Sequence, residues 1–422
     1  MNDNPAAVFL RRIPALLFCF VLFAAAAVFS ARILVPETVP SQLLARTPFR
    51  QLLAGGASEI GGTPPRPGAG FRGKIQWEVQ QNFPFRVLLL EAANCLPRLM
   101  GWNVPLLGGS GATSKFVASN GFLCDAAWQS QSSFVAENSR ILIMMSTLAT
   151  KTPYSVFVMA PPRIQNARPF SGIFEFSGER YKNRIQFLEN QGINVINLAP
   201  YLSDGTPYYR TDHHLTADAQ LIIARIIAEK LMIDKTLHVD MKSLNDNAFD
   251  HVVYPAAFLG SYGKQVTLAR CNPDDFSILT AKLPSRFRVE IPEKGIDLKG
   301  GGGILINEQC LSPIASYCAS QYAAYGYANN GLIRITNLTK SEGPRLLFIS
   351  DSFDNACITF LANATKEIVD IDLRYFTGSI DELFHDNSFD AIICFFVSTL
   401  SSERLSPFLS TEIGKQHHSA IQ

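Results

Sequence analysis

The chain has 422 residues, 47% of them hydrophobic and 11% aromatic, enough for a sizeable core in two or three domains or in one large one with attachments. Its 37 Lys+Arg against 36 Asp+Glu leave a net charge of +1, which excludes a mainly electrostatic nucleic-acid binder and a disordered acidic tail protein. Eight cysteines are too few for a disulfide scaffold, and no CxxC or Cys/His ligand spacing occurs.

Residues 1–12 read as a short cytoplasmic tail ending in Arg11 and Arg12. Ile13–Ala31 (IPALLFCFVLFAAAAVFSA) is uncharged and close to the roughly 20 apolar residues that span a bilayer. It is either an uncleaved signal anchor or a signal peptide cut near Val28-Phe29-Ser30. Both readings hold the Arg pair inside and put the rest of the chain on the periplasmic or extracytoplasmic side of an inner membrane. Export permits disulfides, with Cys310–Cys318 and Cys95–Cys124 as candidate pairs. Cys19 lies in the apolar segment, so an odd number of thiols remains outside it. Buried, unpaired thiols throughout are the alternative.

Residues 32–74, dense in Pro and Gly (Pro36, Pro40, Gly55, Gly56, Pro64, Pro65), read as a linker. Residues 75–407 read as one globular domain and 408–422 as a tail. Five apolar runs have strand character: Ser155–Ala160, Asn194–Leu198, Leu346–Ser350, Ile368–Ile371 and Ala391–Val397. Nearly all-apolar strands suit a parallel sheet covered on both faces. Helical spacing lies between them at Glu179–Gln191 and at Ala217–Leu231, where Ile222, Ile223, Ile226, Ile227 and Leu231 form one face and Thr216 stands as N-cap. Alternating strands and helices predict a doubly wound α/β domain with a mostly parallel sheet. Residues 232–345 are less regular and read as a β-rich excursion. The glycine run Gly300–Gly303 reads as a loop.

In such a sheet, sites lie at the carboxyl ends of strands. Two segments fall there. Arg345–Asp354 (RLLFISDSFD) runs an apolar strand into Asp351-Ser352, with a helix predicted from about Asn355. A serine at that turn has an exposed hydroxyl and a backbone N–H facing a developing oxyanion, with the helix N-terminus adding further donors. Serine and aspartate are also ordinary cap residues. Tyr208–Thr216 (YYRTDHHLT) places Asp212 two residues before His214, so a carboxylate can fix the imidazole tautomer and stabilise the imidazolium. The adjacent His213 and His214 raise a metal reading. None of His238, His251, His385, His417 or His418 has complementary ligand spacing, and no metal or cofactor is expected.

The segment TDHHLTADA resembles the D-x-H-W-t-x-x-G-A signature of SGNH-superfamily proteins related to alginate O-acetyltransferases, and is closer still to the bacterial DHHW-motif family. Further stretches agree in order: Phe83–Arg86, Asn120–Leu123, Phe258–Gly263 before Pro273–Phe276, and Asp351–Phe353 before Ile371–Tyr375. The sequence departs from the pattern at Leu215 (Trp in the family), Ser350 (Gly) and Ala219 (Gly). The resemblance implies an SGNH hydrolase-like fold with flavodoxin-like layering. It implies Ser352 as nucleophile, His214 as base and Asp212 as the orienting acid. His213 is expected to point elsewhere from the same loop, and is a candidate oxyanion or substrate contact there. Gly260 is a candidate oxyanion donor or turn glycine, and Arg374 a candidate anion contact or structural ion pair.

The implied function is a cell-envelope serine O-acetyltransferase or acetylesterase acting on a polysaccharide through an acyl-serine. A membrane partner that passes acyl groups outward is implied by the same analogy. The competing readings are a non-catalytic polysaccharide-binding or export-assembly protein on the same fold, and a metal-dependent hydrolase using the two histidines.

Overall fold

The apolar runs form the parallel side of an eight-stranded sheet. The computed structural model describes residues 115–117, 122–125, 131–152, 154–161, 177–202, 207–235, 237–268, 270–282, 284–316, 320–386 and 388–395. The apolar segment 13–31, the 32–74 linker, Phe83–Arg86, Cys95, Cys318 and the 408–422 tail lie outside them. Among the described residues no helix is long and apolar enough to cross a membrane. Residues 261–272 fall in a second compact unit; the sheet, the helices around it and the candidate site belong to the larger one.

The strands are β1 (Lys115–Val117), β2 (Leu123–Asp125), β3 (Ser155–Met159), β4 (Val195–Asn197), β5 (Phe249–Phe258), β6 (Asp274–Ala281), β7 (Arg286–Ile291), β8 (Ile296–Gly301), β9 (Leu332–Asn337), β10 (Arg345–Ser350), β11 (Glu367–Asp372) and β12 (Ala391–Phe395). The main sheet has the order β4-β3-β12-β10-β11-β9-β7-β8. It is parallel from β4 to β11 and antiparallel from β11 to β8. The β-rich excursion is therefore divided. Its strands β7, β8 and β9 extend the same sheet, and β5 and β6 pair as a separate two-stranded ribbon. Glu367 sits where the pairing changes sense, its Oε1 accepting from Arg334 of β9 and Arg345 of β10 at 2.9 Å each.

Helices α1 (Gln131–Ala149), α2 (Ser177–Asn190), α3 (Ala217–Lys235), α4 (Ser261–Val266), α5 (Asn355–Ala364) and α6 (Ile380–Asp386) complete the fold. One core gathers Ile141 and Met144 of α1, Leu188 of α2 and Ile380 of α6 against Ile349, Ile371 and Cys394 of the strands. The alternate positions Leu346, Phe348, Ile368 and Ile393 are equally buried. Each such aliphatic side chain contributes about 1.5–3 kcal/mol on burial, and burial on both faces is what a parallel sheet requires. Outside that core, α5 packs against β9, β11 and α3. Thr216 caps α3, its Oγ1 accepting from the Ala219 N–H at 3.3 Å. Ile222, read above as part of the buried face, is exposed.

Candidate active site

Strand β10 ends at Ser350, and Asp351 turns the chain into a short 3-10 turn, Ser352–Asp354, that runs directly into α5. The Asp351 carboxylate caps this turn by accepting the Phe353 N–H at 3.1 Å. Ser352 is thereby held at the carboxyl edge of the parallel strands, 7% exposed.

The segment after β4 forms a closed loop. Tyr208 bridges Leu215, the Tyr209 N–H donates to the His214 carbonyl, and the Thr216 N–H donates to that of Pro207. Its apex is fastened by a residue 63 positions away: Asp274 of β6 accepts from the N–H and hydroxyl of Thr211 at 2.8 and 2.6 Å, and from the N–H and Nε of Arg210 at 3.0 and 3.1 Å. Within the loop, Asp212 Oδ1 accepts the His214 N–H at 2.9 Å and lies 2.5 Å from His214 Nδ1. The other ring nitrogen, Nε2, is 2.8 Å from Ser352 Oγ. Asp212 can only accept, so Nδ1 carries the proton and Nε2 is free to accept from the serine hydroxyl. The structure thus brings Asp212, His214 and Ser352 into one hydrogen-bonded chain, buried to 3%, 9% and 7% exposure.

The remaining candidates fall differently. Gly260 is not available to an oxyanion, because its N–H donates to Thr211 Oγ1 at 3.0 Å. It has another role: a Cβ there would stand 2.2 Å from the Asp212 Cβ, so glycine permits the close approach that seats the loop. Arg374 is committed to Asp372 through Nε and Nη2 at 2.6–3.0 Å, the structural ion pair rather than a waiting anion contact. His213 does not point away. Its ring lies 3.9 Å from that of His214 and 5.5 Å from Phe353. The helix donors expected to serve the oxyanion are occupied as well: the Ala356 and Cys357 N–H groups donate to Gln220 Oε1 at 3.0 and 2.9 Å. Asp212, His213 and His214 lie close enough together to suggest a metal site, but both His214 ring nitrogens are already engaged, and a cation there would have to displace Asp212 or Ser352.

Beneath the serine lies a cluster of acids. Asp354 is fully buried and neither carboxyl oxygen has a hydrogen-bond partner. Burial, then the neighbouring Asp370, pushes its pKa well above the ordinary carboxylate range. Asp370 accepts the Ser350 hydroxyl at 2.8 Å, yet burial still pushes it up to about 8. Asp372 is also raised, by burial, against the pull of Arg374.

Asp274 and Thr211 stand inside stretches that carry the family resemblance, with no role of their own assigned there. Gln220 and Tyr322 have no spacing signal.

No family model and no curated protein matches this sequence. Solved structures do share its fold. A DHHW family protein from Eubacterium siraeum is 14% identical with a TM-score of 0.53, the match covering 75% of this chain and 98% of that one. PatB1 from Bacillus cereus is 16% identical with a TM-score of 0.54, covering 72% and 99%. PatB1 has also been solved with a sulfonyl adduct, again at 16% identity, with a TM-score of 0.52 and coverage of 72% and 98%.

Proposed function

We propose that the chain is a serine-dependent acyl-transfer enzyme, an O-acetyltransferase or acetylesterase of the cell envelope whose acceptor is a polysaccharide. The observation that carries this reading is the unbroken Asp212–His214–Ser352 chain at the carboxyl end of the sheet. Ser352 Oγ attacks the acetyl carbonyl carbon while its proton passes to His214 Nε2. Collapse of the tetrahedral intermediate breaks the bond to the donor's leaving oxygen, which takes that proton. A sugar hydroxyl, or water, then gives its proton to Nε2 as it attacks the acyl-serine, and Ser352 leaves with the proton returned. Asp212 stabilises the imidazolium at each stage. The backbone N–H of Ser352, at the start of its turn where intrahelical partners are lacking, is the first oxyanion donor in this reading.

The sulfonyl adduct known for PatB1 supports a nucleophilic centre in a protein of this fold. The polysaccharide acceptor and the membrane acyl-transfer partner rest on the sequence resemblance. The envelope location rests on Arg11, Arg12 and segment 13–31, and is tested by alkaline phosphatase and cytoplasmic reporter fusions after residue 80. An inactive phosphatase fusion with an active cytoplasmic reporter rejects it. The enzymatic reading is tested on the full-length chain with a fluorophosphonate probe and a chromogenic acetyl ester, with an oligosaccharide acceptor present. Labelling and turnover that vanish in Ser352→Ala support it. An unlabelled, inactive wild type that still binds the oligosaccharide favours the non-catalytic alternative.

A further inference from the structure

A tyrosine from the irregular excursion touches both ends of the proton-transfer pair. Tyr322 lies in the 3-10 turn Gln321–Ala324. Its ring stacks on the His214 imidazole, with centroids 3.9 Å apart and planes 18° from parallel. Its hydroxyl donates to the backbone carbonyl of Ser352 at 2.8 Å.

That hydroxyl is itself oriented. Gln220 Nε2 donates to it at 2.8 Å and to the Leu215 carbonyl at 3.3 Å. Gln220 Oε1 meanwhile accepts the Ala356 and Cys357 N–H groups at the start of α5. Two N–H donors facing Oε1 fix the amide's orientation. With the amide nitrogen donating to the phenol, the phenol proton is left for Ser352. Burial holds the Tyr322 phenol well above its ordinary pKa, so it remains a donor across the working pH range. The turn carrying Tyr322 is fastened from its far side, where Gln321 Nε2 donates to the Ala257 carbonyl at 2.5 Å and Ile306 bridges Tyr325.

We propose that Tyr322, held by Gln220, is the positioning residue that sets the approach of base to nucleophile, its ring fixing the plane of His214 and its hydroxyl fixing the turn that carries Ser352. This deepens the acyl-transfer reading and rests on it. Asp212 and Ser352 hold the His214 ring at its two nitrogens and the tilted ring of His213 lies 3.9 Å from it, but edge hydrogen bonds leave the tilt of the ring plane open. The stacked phenol closes that freedom. The carbonyl of Ser352 lies on the nucleophile's own residue, so one rigid side chain fixes both partners of the 2.8 Å contact.

The two functions separate by substitution. Tyr322→Phe keeps the stack and loses the hydroxyl; Tyr322→Leu loses both. In the full-length chain, Tyr322→Phe is expected to lower kcat and the fluorophosphonate labelling rate roughly tenfold with KM unchanged, the effect of one buried hydrogen bond. Tyr322→Leu is expected to lower them roughly a hundredfold, as a misplaced base does. If Tyr322→Leu does not fold, the kcat of Tyr322→Phe decides alone. Folded variants with wild-type kcat overturn the proposal, and so does a rise in KM at constant kcat, which would mark a substrate contact. Failure of the underlying reading looks different: the wild type itself is unlabelled and indistinguishable from Ser352→Ala.

Discussion

Gly260→Ala tests how the acid of the proposed triad is seated. The added Cβ would stand 2.2 Å from the Asp212 Cβ and 2.6 Å from both Asp212 Oδ2 and the Thr211 carbonyl. Carbon atoms pack at about 3.5–4.0 Å, so Asp212 must retreat by about 1.3 Å or more. It has nowhere to relax locally, since Oδ1 is bound to the backbone and ring of His214 and Thr211 is bound to Asp274. The displacement therefore reaches the imidazole. A misplacement of about 1 Å costs on the order of 100-fold in rate, and overpacking a tight contact costs about 1–3 kcal/mol in stability. Turnover of a chromogenic acetyl ester and thermal unfolding measure the two effects. Gly303→Ala is the control, because nothing lies within 4 Å of a Cβ at that position, and it should behave as wild type. A Gly260→Ala chain with wild-type turnover and Tm would refute the close-approach argument.

Other substitutions probe the surrounding groups. His214→Ala should cost roughly 10⁴-fold or more in turnover, whereas His213→Ala should retain most of it, since His213 Nδ1 is 3.5 Å from Asp212 Oδ1, beyond a good hydrogen bond; equal losses in steady-state assays would give His213 a shared role. Asp274→Asn should destabilise the chain by about 2–3 kcal/mol in denaturant unfolding, because an amide NH₂ then faces donors that a carboxylate satisfied, and an unchanged midpoint would count against the loop anchor. Asp370 is protonated more readily in the folded chain, with a pKa of about 8, than unfolded at about 3.9. Its stabilisation is thus complete below about pH 4 and is lost as pH rises through about 8. Asp370→Asn, which keeps an acceptor for Ser350, should flatten the fall in Tm between those limits, and an unaltered Tm–pH curve would contradict the buried-acid assignment.

The parallel half of the sheet was legible because strands buried on both faces have little choice but to be apolar: Leu346–Ile349 and Ala391–Phe395 announce themselves. The antiparallel strands beyond β11 were not, because β7 and β9 bury only alternate residues and show no continuous apolar run. Helix α1 carries a readable signal outside the two helices expected above, with Ile141, Met144, Met145 and Leu148 at helical spacing. At the site, Asp-x-His and Asp-Ser could be identified as residue types suited to the chemistry, and the family resemblance linked them across 138 positions. Gly260 stood out only as a motif glycine, and Tyr322 and Gln220 not at all, for a shared reason. Their roles come from which atoms they approach in three dimensions, and a tyrosine in irregular chain or a glutamine on a helix has no pattern that betrays it.

The acids under Ser352 raise an electrostatic question that the geometry answers. Acyl transfer develops negative charge on the substrate oxygen, and a floor containing Asp354, Asp370 and Asp372 would oppose it if all three were ionised. The charges are instead disposed of locally. Arg374 pairs with Asp372, and burial raises the pKa of Asp354 and Asp370, favouring their neutral forms. In the proposed reaction, Asp212 faces the imidazole that takes the serine proton as the oxyanion forms. The arrangement separates carboxyls by environment: Asp212 stands beside the base, burial favours the neutral forms of Asp354 and Asp370, and Arg374 offsets Asp372. The same reasoning explains why Ser350 is tolerable where the family pattern has glycine: its hydroxyl is the donor for Asp370, a bond that glycine could not supply.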